Sequence, residues 1–270
     1  MMRSLWTAAT GMTNQQLNID TIANNISNVN TTGYKKERLE FGSLLYETLQ
    51  RATLDPATQM GKPVNMQVGH GVRAVASTRL YNNGNLERTD NELDFALEGT
   101  GFFVVEYENE QVYTRDGSFK LSITNEGRFL TTSDGHYVLS SEDEHIMIPN
   151  GVLMSDVNVD DHGRFTILND AGYVEELGAS FKLVQFPNTQ GLSAMGGNFY
   201  AKTVASGEPV NEADGVNRPT RVLQSFLEMS NVQIAEEMVK LIIAQRAYEI
   251  NSKIITTSDE MLQVANNLRR

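Results

Sequence analysis

Apolar residues recur every three to four positions at both ends of the chain and every two positions between them. Met2, Leu5, Ala9, Met12, Gln16, Ile19, Ala23 and Ile26 keep helical spacing over residues 2–29. Val239, Ile243, Ala247, Ile250, Ile254, Thr257, Met261, Val264 and Leu268 do so over residues 224–268. Sustained heptads of this kind predict two amphipathic helices whose seams need another helix to cover them. Ile234, Met238, Leu241 and Tyr248 form a second stripe on the C-terminal segment, so more than one helical neighbour is expected. Neither Pro nor Gly interrupts 224–268. A helix of that length reaches ~67 Å at ~1.5 Å per residue, too long for one domain of this size to bury. Both ends are therefore expected to find their apolar cover in neighbouring copies, and to be loosely held in an isolated molecule.

The N-terminal segment has an unusual polar face. Ser4 is a candidate N-cap, and Asn30 with Gly33 a candidate stop. Between Ser4 and Val29 the only charge is Asp20. The rest of the polar surface is amide and hydroxyl, including Asn24, Asn25 and Asn28. A solvated helix face normally carries Glu and Lys in i,i+4 pairs. Their absence predicts a helix covered nearly all round, with amides fixing its register. Leu17 and Ile22 widen the apolar stripe and leave open a buried helix within its own domain.

Between the ends, from about Arg73 to Lys202, the period is 2 and turn signals are frequent. They are Asn82-Asn83-Gly84, Asp116-Gly117, Asn125-Glu126-Gly127, Asp134-Gly135, Asn150-Gly151, Asp161-His162-Gly163 and Asp170-Ala171-Gly172. Strand-like runs lie at 102–105, 111–113, 119–121, 128–130 and 137–139, which predicts an antiparallel β domain. The expected class is α+β, with the two terminal helices forming one discontinuous coiled-coil module. The expected division is a helix over 1–36, a connector over 37–80, a β domain over 81–222 and a helix over 223–270. Within the connector, 46–63 has neither period and carries Asp55-Pro56 and Lys62-Pro63. It reads as a linker or as an extended hairpin laid against a neighbour, with Gly33, Asp55, Pro56 and Pro63 as turn and connector residues.

Composition narrows the function. Net charge is −12, which argues against nucleic acid as a partner, since phosphate contacts need a Lys/Arg excess. Residues 1–40 sum to +1 and 225–270 to −1, so the middle carries the acidity. Near-neutral ends suit packing against like ends, with the middle facing solvent. There is no cysteine, which removes disulfides and thiolate metal sites. The first fifteen residues lack the apolar core of a cleaved signal peptide. The best apolar run, Leu241-Ile242-Ile243-Ala244, is too short to cross a membrane.

Catalytic patterns are not found. His70, His136, His145 and His162 fall in no spaced metal motif. His145 beside Asp143 and Glu144 reads as a surface residue, and Gly69-His70-Gly71 as a tight turn. Gly99-Thr100-Gly101 leads into a strand, where phosphate binding would need a helix N-terminus. Glu236-Glu237 and Asp259-Glu260 read as solvated helix edges. No enzyme activity, cofactor or metal is expected.

Three segments resemble the bacterial flagellar rod and hook family. They are Ile22–Lys35 (IANNISNVNTTGYK), Leu97–Val104 with Tyr113–Phe119 (LEGTGFFV, YTRDGSF), and Leu227–Val232 with Gln245–Lys253 (LEMSNV, QRAYEINSK). They occur in that family's order and span both ends and the middle. One β domain and the stretch at 46–63 are nearest the subunits of the distal rod; a proximal rod or hook subunit is the alternative. A secreted β-rich enzyme or adhesin is more remote. The resemblance implies a hollow helical tube of many copies that transmits torque to the hook. It also implies export through the flagellar type III apparatus without a cleaved signal, and a place in the basal body within the periplasmic space. Proximal rod proteins, hook protein, the export machinery, bushing rings and the peptidoglycan layer would be the neighbours. The subunit interfaces would involve Leu5, Ala9, Met12, Gln16, Ile19, Ala23, Asn24, Asn25, Ile26 and Asn28 on the first helix. On the second they would involve Met238, Leu241, Ile243, Ala247, Tyr248, Ile250, Ile254, Met261, Val264 and Leu268.

Overall fold

The computed structural model describes residues 2–50, 65–124, 127–149, 156–168, 174–214 and 218–267. Asp55, Pro56, Pro63 and Leu268 lie outside the described residues, as do Asn125-Glu126, Asn150-Gly151 and Asp170-Ala171-Gly172 of the expected turns. The class is α+β, with a helix at each end and a β-rich central part. Two compact units emerge, each made of segments distant in sequence. One comprises Met1–Ser27, Glu37–Thr78 and Gln233–Arg270; the other comprises Asn28–Lys36 and Arg79–Val232.

The helical unit holds α1 (Met2–Ser27), β1 (Glu37–Ser43), β2 (Tyr46–Gln50), β3 (Met66–Gly69), β4 (Val72–Arg79) and α2 (Ile234–Asn267). The two helices pack on each other. Asn25 meets Glu237, and Gly11 lies against Asn251. As the first helix steps back from 25 to 11, the second steps forward from 237 to 251, so they run antiparallel in matched register. β1 pairs with β4. β2 pairs with β3 antiparallel, from Tyr46 opposite Gly69 to Gln50 opposite Met66. The segment read as linker or hairpin thus begins as a paired strand. The Gly69-His70-Gly71 turn leads from β3 into β4, with Gly71 at φ +112°.

The helix boundaries differ from the sequence expectation. α1 runs through Ser4, which is therefore not a cap, and stops at Ser27. A turn follows, in which Thr31 N–H donates to Asn28 O at 3.2 Å. Val29, Thr31 and Thr32 are β-branched, which lowers helix propensity where the helix stops. α2 begins ten residues later than the periodicity allows. Residues 221–224 and 226–228 instead form strands, separated by Ser225 at φ +61°. Pairing with a buried sheet edge outweighs helix propensity here.

The β unit contains β5 (Leu86–Arg88), β6 (Phe95–Glu98), β7 (Phe102–Tyr107), β8 (Glu110–Thr114), β9 (Lys120–Thr124), β10 (Gly127–Thr131) and β11 (Met147–Ile148). It continues with β12 (Val157–Val159), β13 (Arg164–Leu168), β14 (Val174–Ser180), β15 (Leu183–Gln185), β16 (Ser193–Gly196), β17 (Phe199–Ala201), β18 (Val210–Asn211), β19 (Arg221–Gln224) and β20 (Phe226–Glu228). The largest sheet has the order β16-β17-β8-β7-β15-β18. Three-stranded sheets β11-β10-β9 and β12-β13-β14 accompany it, and the ribbons β19-β6 and β20-β5 carry the returning chain. Residues 137–139 join through isolated bridges, not as a regular strand. β7 is covered on both faces. Phe103 enters a core with Phe95, Phe119, Leu130, Phe165 and Phe181, while Phe102 and Val104 enter another with Tyr113, Phe186 and Tyr200. Edge-on pairs such as Phe95–Phe181, with ring centroids 5.0 Å apart, contribute about 0.5–1.5 kcal/mol each beyond area burial.

Candidate functional site

The helical unit turns a small, polar face inward and an apolar face outward. On α2 the buried side chains are Glu237, Ala244 and Ser258, spaced by one heptad and then by two. Small residues let the two backbones approach. A methyl group added at Gly11 of α1 would come within 2.8 Å of Asn251 Nδ2. Glu237, expected on a solvated edge, is buried; it accepts from Asn25 Nδ2 at 3.3 Å and from Lys240 Nζ at 2.9 Å. Its charge is tolerable there because both contacts are donors.

Two of the N-terminal amides have defined work. Asn14 Nδ2 donates to Thr10 O at 2.7 Å and to Val72 O at 2.9 Å. Asn25 pairs with Glu37 as a backbone peptide would, donating to its carbonyl at 2.8 Å and accepting from its N–H at 3.0 Å. These bonds fix β4 and β1 against the helix, within one molecule. The expected all-round cover is absent from the described single chain. Ala8, Asn14, Ile22 and Asn25 are buried, whereas Trp6 is 70% exposed and Leu17 44%.

The residues expected at subunit interfaces sort by face. Leu5, Ala9, Met12, Ile19, Ile26 and Asn28 are half-buried; Gln16, Ala23 and Asn24 are exposed, and Asn25 is buried. On α2, Leu241 and Ala247 are half-buried, while Met238, Ile243, Tyr248, Ile250, Ile254, Met261 and Val264 are exposed. The exposures of Ile243 (63%), Ile250 (61%) and Val264 (59%) are high for aliphatic side chains in one row. Within the single chain, one face of α2 is covered and the other is left exposed. At the base of β2, Leu45 is 88% exposed. It lines an open cleft of about 560 Å³ with Leu44, Tyr46, Glu47 and His70.

In the β unit, one buried charge cluster joins three distant segments. Lys35 Nζ donates to Glu228 Oε1 at 2.6 Å, and Arg115 Nη1 donates to Glu228 Oε2 at 3.3 Å. All three side chains are buried. Lys35 also donates to Asn82 O at 3.0 Å, and Arg115 Nη2 to Gly99 O at 2.6 Å. The backbone N–H of Gly84 donates to Glu228 Oε1 at 2.8 Å. The Arg115 guanidinium lies over the Phe102 ring, 5.1 Å from its centroid, and its Nε–H has no partner. Two cations thus share one carboxylate. Burial, reinforced by Arg115, pushes the Lys35 ammonium down to about 8 against the opposing pull of Glu228. Burial likewise lowers Arg115, which stays charged because guanidinium starts so high. Nearby, Gly33 sits at φ +67°, and its N–H donates to Glu228 O at 2.8 Å. An added Cβ there would meet Asp116 N at 2.7 Å.

Lys35, Arg115 and Glu228 all fall inside the segments that carried the family resemblance, yet sequence reasoning gave them no role. Only Glu228 offered a signal, as a single charge in a neutral run; Lys35 sits beside Lys36, Glu37 and Arg38, and Arg115 beside Asp116. The described residues contain no cluster of His, Asp and Glu suited to a metal, and no helix long and apolar enough to cross a membrane.

Comparison with known proteins agrees with this layout. Residues 5–35 match the family described as flagella basal body rod protein. Residues 96–167 match the flagellar hook protein FlgE/F/G D1 domain, and 223–268 the flagellar basal body rod FlgEFG protein C-terminal family. The flagellar basal-body rod protein FlgG of Borreliella burgdorferi is 45% identical over the full length of both chains. The protein of the same name from Buchnera aphidicola (subsp. Acyrthosiphon pisum) is 38% identical over 99% of this chain and 100% of its own. The flagellar hook-basal body complex protein FlhP of Bacillus subtilis is 32% identical over the full length of both. With family models matched at both ends and in the middle, and a relative 45% identical over the full length of both chains, the chain belongs to the flagellar basal-body rod family.

Proposed function

We propose that this protein is a structural subunit of the distal rod of the bacterial flagellar basal body. Many copies join head to tail into a hollow helical tube that carries torque to the hook. The observation that carries this reading is the outward row Met238, Ile243, Ile250, Met261 and Val264, too apolar to remain in water along a whole helix. α1 covers only the small-residue face of α2, so the apolar face is free to meet a neighbouring helical pair as a coiled coil. Two unlike surfaces on each subunit are what an open helical polymer requires. The exposed strands β2 and β3, with Leu45 and Tyr46, supply a further contact that stiffens the joint. This arm favours the distal rod over a proximal rod or hook subunit.

On this reading the chain acts mechanically and carries out no catalysis. Its neighbours are copies of itself, proximal rod proteins, hook protein and the export machinery, with bushing rings and the peptidoglycan layer outside. It lies in the periplasmic part of the basal body and is exported without signal cleavage. Electron microscopy of the purified chain at high concentration tests the reading. The native sequence should give tubes or helical polymers, and a chain carrying both Ile243→Asp and Ile250→Asp should stay monomeric with unchanged circular dichroism. Polymers of the double variant would overturn it. Deleting 46–63 should leave polymerisation intact but give curved, flexible polymers.

A further inference from the structure

Each helix carries a row of residues seven apart along the line where the two meet. On α1 the row is Gly11, Asn18 and Asn25; on α2 it is Glu237, Ala244 and Asn251. Asn25, Glu237 and Ala244 are buried, and Gly11, Asn18 and Asn251 half-buried. Two contacts fix how the rows face each other. Asn25 Nδ2 donates to Glu237 Oε2 at 3.3 Å, and a Cβ on Gly11 would stand 2.8 Å from Asn251 Nδ2. Residues 11–25 and 237–251 span the same two heptads, so Asn18 falls opposite Ala244. The opposed residues complement one another. A bare glycine meets an asparagine, an asparagine meets an alanine, and an asparagine amide meets a carboxylate.

Sliding the rows by one heptad destroys that match. One direction brings Asn18 onto Asn251 and leaves Glu237 with no amide opposite it. The other sets Gly11 against Ala244, where a gap results, and carries Asn25 past the start of α2. Crowding and voids both cost stability in a packed seam, and a buried carboxylate stripped of a donor costs more. Turning α2 about its axis fails for a related reason. The Asn25 amide is fully used: Nδ2 donates to Glu37 O at 2.8 Å and to Glu237, and Oδ1 accepts from Glu37 N–H at 3.0 Å. With Ile243 and Ile250 turned toward α1, one amide hydrogen of Asn25 would be buried against aliphatic carbon.

We propose that this ladder is a recognition code between the two ends of the chain, carried by Gly11, Asn25, Glu237 and Asn251. It makes α1 take α2 by one face and in one register, and so leaves the row Ile243, Ile250 and Val264 open. A polar group in a helical seam is best attested in this role, where it gives up stability to exclude other pairings. That the open row then receives a second copy rests on the assembly proposed above; the choice of face and register within one chain does not.

The chain has no cysteine. Spin labels on Asp20→Cys and Gln263→Cys, both exposed positions, therefore report the helix pairing in dilute full-length protein. One narrow distance is expected when nothing else is changed. Glu237→Leu with Asn251→Ala removes both distinctive residues from the α2 row, and neither change lowers helix propensity. Helical circular dichroism should be retained while the distance broadens or splits, a one-heptad slip moving the labels by ~10 Å along the axis. Gly11→Asn alone should also broaden it, and Asn251→Gly added in the same chain should restore the single distance. Several distances in the labelled chain without further change would overturn the code. So would an unmoved distance or loss of helix in the Glu237→Leu, Asn251→Ala chain, no effect of Gly11→Asn, or failure of the exchange to restore the pairing. Polymerisation is scored apart: a singly paired chain that never polymerises overturns the assembly reading and leaves the ladder standing.

Discussion

Lys35 Nζ and Glu228 Oε1 are 2.6 Å apart and 193 residues distant in sequence, and neither is open to solvent. The pair closes the β unit where the chain enters from α1 and where it leaves for α2. Arg115, on the other oxygen of Glu228, adds a segment from the middle. A charge cluster so placed makes the β unit dependent on residues near both ends of the chain.

Losing Glu228 should therefore be worse than losing either cation. Glu228→Gln leaves two buried cations with no counter-charge, and is expected to destabilise the β unit by about 3–5 kcal/mol. Lys35→Met leaves a neutral Arg115–Glu228 pair and should cost clearly less. Urea unfolding of the full chain, followed by near-ultraviolet circular dichroism of its aromatic core, would rank the two. A milder Glu228→Gln than Lys35→Met would refute this account of the cluster.

Lys35 also gives stability a pH dependence of defined sign. Its pKa lies near 8 in the folded chain against 10.5 when unperturbed. Between those values the unfolded chain holds the proton more tightly, so stability rises with pH, by about 3 kcal/mol over the full window. The gain is fully present above 10.5 and gone once pH falls below 8. Tyr200, pushed up to about 12 by burial, acts oppositely once unfolded tyrosines begin to ionise near 10. Melting temperatures from pH 7.5 to 9.5 should thus rise more steeply for the native chain than for Lys35→Met. Parallel curves would contradict the shift.

Gly33→Ala combines a left-handed backbone with a Cβ set 2.7 Å from Asp116 N and 2.8 Å from Arg115 C. Neither neighbour is a flexible side-chain end. A loss of about 2 kcal/mol or more is expected in the same urea assay. Gly135→Ala is a useful contrast: its φ of +91° carries strain, but nothing lies within 4 Å of the added methyl. The difference between the two variants isolates the steric part.

Trp6 is the sole tryptophan and is 70% exposed on α1. Its fluorescence should be red-shifted and readily quenched by iodide in dilute protein. On assembly it should shift to the blue and lose most of that quenching, with the same concentration dependence as polymer mass. Unchanged emission across polymerisation would show that the start of α1 takes no part in the contacts.

Much of this architecture was legible in the chain. Helical period at the ends, period 2 in the middle and closely spaced turn signals are short-range properties. They follow from side-chain geometry within one turn or one pleat, and 102–105, 111–113 and 128–130 emerge as strands for that reason. The outward face of α2 was legible too, because Ile243, Ile250 and Val264 repeat along it. Other features depended on partners far away in sequence. Residues 224–233 have helical promise, but β5 and β6 hold much of that stretch as strands. Glu237 looks like a solvated edge until Asn25 is brought to it. Lys35, Arg115 and Glu228 are charges whose meaning lies in one another, and up to 193 residues of sequence separate them. Periodicity determines which face of an element is apolar. Only the packed chain decides which face meets its own molecule and which buried charges are paired, because those outcomes turn on contacts between residues the sequence keeps far apart.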